Sequence, residues 1–370
     1  MRTGAGVTAG VVGVALMLAA CGGGAERKAA GSTTTLRPAP SNPAESGFIV
    51  PDPGGAPVKA APGAAAPAFS AITANTTGYS PPPTDAAVQS AVLLRAQVLL
   101  DRAGFSPGVI DARHGENVRQ ALAAFQEARG LPRDGTLNPA TWSALQTVGG
   151  PSVVGRYVIT RADLAGPFIS GVPDGLAEQA NLTALGYTSA AELIAERFHM
   201  DEDLLRAMNP GVNFDGAGQE IIVANPARPA LSANVARIEV DAGEKAVKAY
   251  DAPGMLLAFY PSTIGSSEQP SPTGSMKVNG VARHPTYTYD PRKLDYAKGK
   301  ITRRLTVAAG PNNPVGAVWI DLSKPTYGIH GTPNPDVIGK SVSNGCVRLT
   351  NWDVIALSLG VKPGVKVTFV

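Results

Sequence analysis

A chain of 370 residues, 44% of them apolar, has room for two or three domains. A net charge of +3, with no Lys/Arg cluster and no interleaving of basic and aromatic residues, argues against nucleic acid as a partner and leaves room for an anionic wall polymer. Two cysteines and four dispersed histidines form no ligand cluster, so neither a metal nor another cofactor is expected.

Residues 1–21 read as a secretory signal, with Arg2 giving a positive start and 7–18 an apolar run. The tetrapeptide Leu18-Ala19-Ala20-Cys21 then resembles the bacterial lipobox, which implies lipidation of Cys21 as the new N-terminus. The alternative is an uncleaved membrane anchor, because residues 4–25 lack charge and are nearly long enough to span. Both place the body outside the cytoplasmic membrane. The first implies a lipid-anchored envelope protein, in the periplasm or on the inner face of the outer membrane if the cell is Gram-negative. Residues 22–84 are rich in Pro, Ala and Gly and read as a disordered linker that gives the anchored protein reach.

Residues 85–148 read as a small all-α unit. Val88, Val92, Leu93, Val98, Leu99 and Leu100 recur near helical period, 118–128 is a second helix with Leu122 and Phe125 inward, and Trp142 faces inward from a third. Gly104-Phe105, Pro107-Gly108-Val109-Ile110-Asp111, Gly130-Leu131, Asp134-Gly135 and Thr141-Trp142 resemble the three-helix peptidoglycan-binding domain, with Ala112 where the family has Gly. A helical spacer that binds nothing fits the same periodicity. His114 reads as a solvated loop residue.

Residues 152–228 read as strand, helix, helix, strand: 157–160, 190–198, 201–208 capped by Asp201, and 220–223. The order resembles a degenerate LysM domain of small α/β type, with 163–188 inserted in its first half. His199 at a helix end reads as structural.

Residues 234–370 read as mainly β. The stretches 236–240 and 245–250 form a hairpin, 255–263 a third strand, 318–321 a fourth and 366–370 the last. Thr350 and Asp353 form a capping box for a short C-terminal helix. Residues 285–301, rich in Tyr, Lys and Arg, are too long for a plain turn and read either as a flap over a cleft or as an exposed excursion. His284 at its root is a poor candidate for a base.

Chemistry concentrates in residues 328–349, G-I-H-G-T-P-N-P-D-V-I-G-K-S-V-S-N-G-C-V-R-L. Fifteen residues separate His330 from Cys346, which excludes a shared helix face. Two strand ends joined by a Pro/Gly/Asn loop would bring imidazole to thiol. Period-two alternation puts Cys346 and Arg348 on one face, Val347 and Leu349 on the other. A nearby His or Arg lowers a thiol's pKa and raises its reactivity. Gly345 lets its N–H and that of Cys346 turn toward a developing oxyanion. From spacing alone, a buried structural cysteine and an unrelated core histidine fit equally well.

His330-Gly331 followed by Ser343-Asn344-Gly345-Cys346-Val347-Arg348, with Pro272-Thr273-Gly274 and the 316–319 stretch, resembles the L,D-transpeptidase catalytic domain of the YkuD type. Asn344 stands where many members have His. The resemblance implies a mainly-β, sandwich-like catalytic domain over 234–370 acting on peptidoglycan. Cys346 would be the nucleophile, attacking the L,D bond before the terminal D-Ala of a stem tetrapeptide. His330 would be the base and acid, oriented by the Gly331 carbonyl, and the Gly345 N–H would meet the oxyanion. Ser343, Asn344 and Arg348 would bind substrate. An acceptor amine would then take the acyl group, forming a 3–3 cross-link, and carbapenem-type inhibitors would acylate the thiol. Resolution by water (an L,D-carboxypeptidase) or by a protein lysine (attachment of an envelope lipoprotein) uses the same donor chemistry. A non-catalytic wall-binding lipoprotein is the reading of another class.

Overall fold

The computed structural model describes residues 70–79, 85–265, 271–293, 301–343 and 345–370. The export signal, Cys21, most of the 22–84 linker, Asn344 and residues 294–300 of the 285–301 excursion lie outside the described residues.

The helical unit comprises α1 (Ala86–Arg102), α2 (Glu116–Ala128) and α3 (Pro139–Gln146). Asp85 caps α1 by accepting the N–H groups of Ala87 and Val88, and Asn138 caps α3 through Thr141. Leu94, Leu100, Leu122, Phe125, Trp142 and Leu145 close its core. Val88 drops out of the apolar stripe and is exposed. Ala112 sits at φ +57°, where glycine would be unstrained. Gln97 holds that turn, accepting the Ala112 N–H (2.8 Å) and donating to Asp111 Oδ1 (2.7 Å).

The far end of the expected linker is packed, not free. A 3-10 turn at Ala71–Asn75 precedes α1. The Asn75 amide stands in for a neighbouring strand, accepting the Val154 N–H (2.9 Å) and donating to the Val154 carbonyl (3.0 Å). Tyr79 donates to the Leu137 carbonyl at 2.5 Å.

The middle unit holds β1 (Val154–Val158), a short α4 (Leu176–Gln179), α5 (Ala190–Arg197), α6 (Glu202–Met208) and β2 (Glu220–Ala224), with β1 and β2 antiparallel. Asp201 caps α6 through the Leu204 N–H at 2.8 Å. Leu185, in the segment read as an insertion, is fully buried against the C-terminal unit.

That unit contains β3 (Arg237–Asp241), β4 (Ala246–Tyr250), β5 (Leu256–Pro261), β6 (Gly274–Arg283), β7 (Tyr287–Tyr289), β8 (Leu305–Val307), β9 (Val318–Leu322), β10 (Gly328–His330), β11 (Val347–Arg348), α7 (Asn351–Gly360) and β12 (Lys366–Phe369). Eight of these strands form one sheet in the order β11-β10-β9-β6-β12-β3-β4-β5. Its two ends meet: the Thr263 N–H, just past β5, donates to the Arg348 carbonyl (3.0 Å) and the Arg348 N–H returns the bond (2.8 Å). The sheet therefore curls around Ile238, Val247, Tyr260, Ile320, Ile329 and Leu357. The central strand β6 was not anticipated, because a register shift between Val278 and Gly280 interrupts its alternation.

The helical unit docks on the sheet through backbone bonds. Ser106 N–H donates to the Phe259 carbonyl (2.9 Å) and Phe259 N–H to the Gly104 carbonyl (3.0 Å). Beside them Arg228 bridges two fully buried carboxylates, Asp101 of α1 and Asp353 of α7. Ser106 Oγ donates to Asp353 Oδ2 (2.8 Å), and His199 Nδ1 lies 2.9 Å from Asp101 Oδ2 with its ring stacked on Trp352. Thr350 caps α7 by accepting the Asp353 N–H at 3.2 Å. The Asp353 side chain turns instead to the Arg228 cation, a stronger partner than a backbone N–H, so only half of the expected capping box forms.

Candidate active site

The two halves of the motif lie on adjacent parallel strands. In β10 and β11 Ile329 pairs with Val347 and His330 with Arg348. Paired residues in a parallel ladder share a face, so His330 and Arg348 point together, and Cys346 joins them by the period of two. Ile329, Val347 and Leu349 pack in the sheet's enclosed core, whereas Cys346 packs with Trp319, Tyr287 and Tyr289 on the other side. The alternation expected from sequence is the one observed.

His330 is 2% exposed, and its Nδ1 lies 2.7 Å from the Gly331 carbonyl. A carbonyl only accepts, so Nδ1 carries the proton and Nε2 is the open basic nitrogen. Trp319, its partner on β9, stacks on the imidazole with centroids 5.4 Å apart. Burial, with the Arg348 charge adding to it, pushes the imidazole down to about 3, against the Gly331 hydrogen bond. The ring is neutral at physiological pH.

Cys346 is 6% exposed. Burial pushes its thiol up to about 11, while the Gly328 N–H and the Arg348 charge pull it down. The expected activation by a neighbouring cation is present but loses to desolvation. Arg348 acts on both members of the pair with opposite benefit: its charge favours a thiolate and disfavours an imidazolium. The resting state is therefore a neutral thiol, donating to the Thr326 carbonyl at 3.6 Å, and a neutral imidazole on the same sheet face.

The turn before the cysteine is tied by Ser343. Its hydroxyl donates to the Cys346 carbonyl (2.6 Å) and accepts the Gly345 N–H (3.2 Å). Ser343 is 3% exposed, so this residue, expected among those binding substrate, instead shapes the nucleophile's turn. The Gly345 N–H, expected to face an oxyanion, is held by that same hydroxyl. Gly345 takes φ +114° with Tyr327 against its open side, which leaves glycine as the unstrained choice. Ser271 Oγ donates to the Gly345 carbonyl (2.8 Å) and fixes the turn from outside.

The described part of the 285–301 excursion holds β7 and a 3-10 turn at Pro291–Lys293, and β7 pairs antiparallel with β8 just beyond the segment. Tyr287, Tyr289, Leu305 and Val307 bury themselves in the cluster that holds Cys346 and Trp319. Leu185 of the middle unit belongs to the same cluster. Its hydrophobicity was visible in the sequence, but nothing there tied it to the thiol. His284 is exposed at φ +49°, and His114 is exposed on the helical unit; neither joins the site.

Residues 236–368 match the YkuD family, described as the L,D-transpeptidase catalytic domain, and residues 92–145 match a peptidoglycan binding domain family. A Bacillus licheniformis protein that carries the name L,D-transpeptidase YkuD is 33% identical over 179 residues, covering 48% of this chain and 91% of the relative. Its Bacillus subtilis namesake is 32% identical over 176 residues, covering 47% and 90%. A solved L,D-transpeptidase structure from Xylanimonas cellulosilytica aligns over 75% of this chain and 93% of its own with a TM-score of 0.33 and 16% identity. On the Bacillus licheniformis match, which spans nearly the whole of that relative, the chain belongs to the YkuD-type L,D-transpeptidase family.

Proposed function

We propose that this L,D-transpeptidase works through Cys346 as nucleophile and His330 as base and acid, on the stem tetrapeptides of peptidoglycan. One observation carries the reading. The Nδ1 bond to the Gly331 carbonyl leaves Nε2 as the basic nitrogen, on the sheet face that also carries the thiol. As the Cys346 sulfur bonds to the carbonyl carbon of the third stem residue, its proton passes to Nε2. A thiol held near 11 and an imidazole near 3 favour transfer in step with attack, over a standing ion pair. Backbone N–H groups at residues 345–346 receive the oxyanion, with the Gly345 N–H leaving Ser343 Oγ to do so; one such donor is worth about 2.7–4 kcal/mol. The C–N bond then breaks, and His330 returns the proton to the departing D-Ala amine. A stem-peptide side-chain amine attacks the thioester, loses its proton to His330 and frees the thiol, giving a 3–3 cross-link. Because Cys346 is buried among Tyr287, Tyr289 and Leu185, the β7–β8 pair lifts for the acyl donor.

Arg348 binds a substrate carboxylate, and Asn344 joins it. The helical unit, by its family match, holds the enzyme on the wall. The middle unit is read as a degenerate LysM fold. Cys21 carries a lipid that anchors the exported protein in the envelope.

Cys346→Ala should abolish D-Ala release from purified tetrapeptide and prevent a covalent carbapenem adduct by mass spectrometry. Turnover by that variant would overturn the assignment. Product masses with and without an acceptor amine separate cross-linking from hydrolysis and from attachment to a protein lysine.

A further inference from the structure

The loop that orients His330 is gripped from outside the catalytic sheet. Asn351, the first residue of α7, is 1% exposed, and both its amide nitrogen and its amide oxygen are hydrogen-bonded. Its Nδ2 donates to Glu196 (3.2 Å to Oε1, 3.1 Å to Oε2) and to the Pro311 carbonyl (3.1 Å). Its Oδ1 accepts the Ala317 N–H at 2.9 Å. The same oxygen packs against Gly316 and Gly331 so closely that a side-chain carbon at either position would collide with it. Gly331 supplies the carbonyl that holds His330 Nδ1, and its own N–H donates to the Val318 carbonyl at 3.2 Å.

Glu196 belongs to α5, in the middle unit, and Tyr187 OH donates to its Oε1 at 3.0 Å. Among the described residues no Lys or Arg forms an ion pair with it. The middle unit holds the 309–317 loop at further points. Leu185 exchanges backbone bonds with Ala309 and Asn312 (3.0 Å each). Asn312 Nδ2 also donates to the Gly186 carbonyl (3.0 Å) and to Glu192 Oε1 (2.8 Å). That loop runs directly into β9, whose Trp319 stacks on His330. Two routes thus lead from the middle unit to the imidazole, one through the Asn351 amide to Gly331 and one through the loop to Trp319.

We propose that Glu196 and Asn351 are positioning residues: they carry the docking of the middle unit to the Gly331 carbonyl and so fix the direction of the His330 imidazole. The inference rests on His330 being the general base. The middle unit is then part of the catalytic apparatus, whatever its affinity for glycan. The base is aligned when α5 is seated and loses alignment when it is not.

The test uses the full chain and D-Ala release from purified tetrapeptide, with a melting midpoint for every variant. Glu196→Ala removes the acceptor for Asn351 and should lower kcat about tenfold with KM unchanged, well within what an ångström of misplacement can cost a catalytic group. Glu196→Gln keeps an acceptor for Asn351 and should recover most of the rate. A Glu196→Ala enzyme with wild-type kcat, or a folded Glu196→Gln enzyme as slow as the alanine variant, overturns the inference while leaving the Cys–His reading intact. No D-Ala release by the wild-type chain overturns both. If Glu196→Ala does not fold, Asn351→Asp replaces it. That change sets two carboxyls face to face and should slow turnover, and adding Glu196→Gln, whose amide can donate to the new carboxylate, should restore part of it. A double variant no faster than Asn351→Asp alone overturns the relay.

Discussion

Alkylation of Cys346 against pH gives the sharpest check on the resting state. An unperturbed thiol of pKa near 8.5 is about 3% thiolate at pH 7. With burial holding Cys346 near 11, its thiolate fraction at pH 7 is about one in ten thousand, roughly 300-fold lower. A more basic thiolate is a better nucleophile, and a Brønsted coefficient of 0.4–0.5 returns about ten- to twentyfold of that. Iodoacetamide should therefore modify Cys346 some 15 to 30 times more slowly than a free thiol, before the residue's 6% exposure slows it further. The assay is peptide mapping of carboxamidomethylated Cys346 from pH 7 to 11, with circular dichroism confirming the fold at each point. The rate should climb about tenfold per pH unit to pH 9 and bend only near 11, where the thiol titrates. A plateau by pH 8, or a rate above that of glutathione, would refute the claim that burial outweighs Arg348, and would point to a standing thiolate–imidazolium pair.

Other outcomes follow from particular contacts. Arg228→Ala leaves Asp101 and Asp353 facing each other, both fully buried, and should lower unfolding free energy by about 3–5 kcal/mol in a urea titration. Burial pushes the Glu196 carboxyl up to about 7, with the neighbouring Glu192 charge adding to the rise and the Asn351 and Tyr187 bonds opposing it. A raised folded value means a contribution that is complete below the unfolded value of 4.5 and is lost as pH climbs through 7. Glu196→Gln should thus raise the melting temperature at pH 8 and show its smallest advantage below 4.5. Gly345→Ala forces a side chain into φ +114° beside Tyr327; a loss of about 1–3 kcal/mol and of D-Ala release are expected, and wild-type behaviour of both would remove the strain argument. Ala112→Gly relieves a positive φ in an otherwise intact turn and should raise the melting temperature slightly.

The sequence made most of the site readable and little of its support. His330, Gly331, Cys346 and Arg348 sit in a short stretch whose strand period already assigns their faces. The pKa of the thiol was not readable, because it is decided by Tyr287, Tyr289 and Leu185, brought over it from distant segments. Ser343 looked like a substrate contact because its partners are backbone atoms of its own turn, which no pattern of side chains announces. Asn351 and Glu196 lie 155 residues apart, and neither belongs to a spacing that marks chemistry. Helices α1, α2 and α3 followed from apolar period alone, and the caps at Asp85 and Asn138 emerged only in the structure. Strand β6 escaped because its bulge at Asn279 and Gly280 destroys the period that identifies a strand. The ordered turn at Ala71–Asn75 has the composition of the linker before it, and only the pairing of Asn75 with Val154 sets it apart.

The backbone bonds between residues 104–106 and Phe259 have a consequence for solubility. Strand β5 is the last in the sheet order, and an open edge strand invites pairing with another chain. Here the edge is divided between two covers: the helical unit occupies Phe259, and β11, by curling round, occupies Thr263. A fragment cut to begin near residue 234 would keep the second cover and lose the first, baring the unpaired groups of Phe259 beside the buried ring of Tyr260. Such a fragment should self-associate edge to edge. The helical unit thus guards the catalytic sheet against aggregation, in addition to any grip it has on the wall.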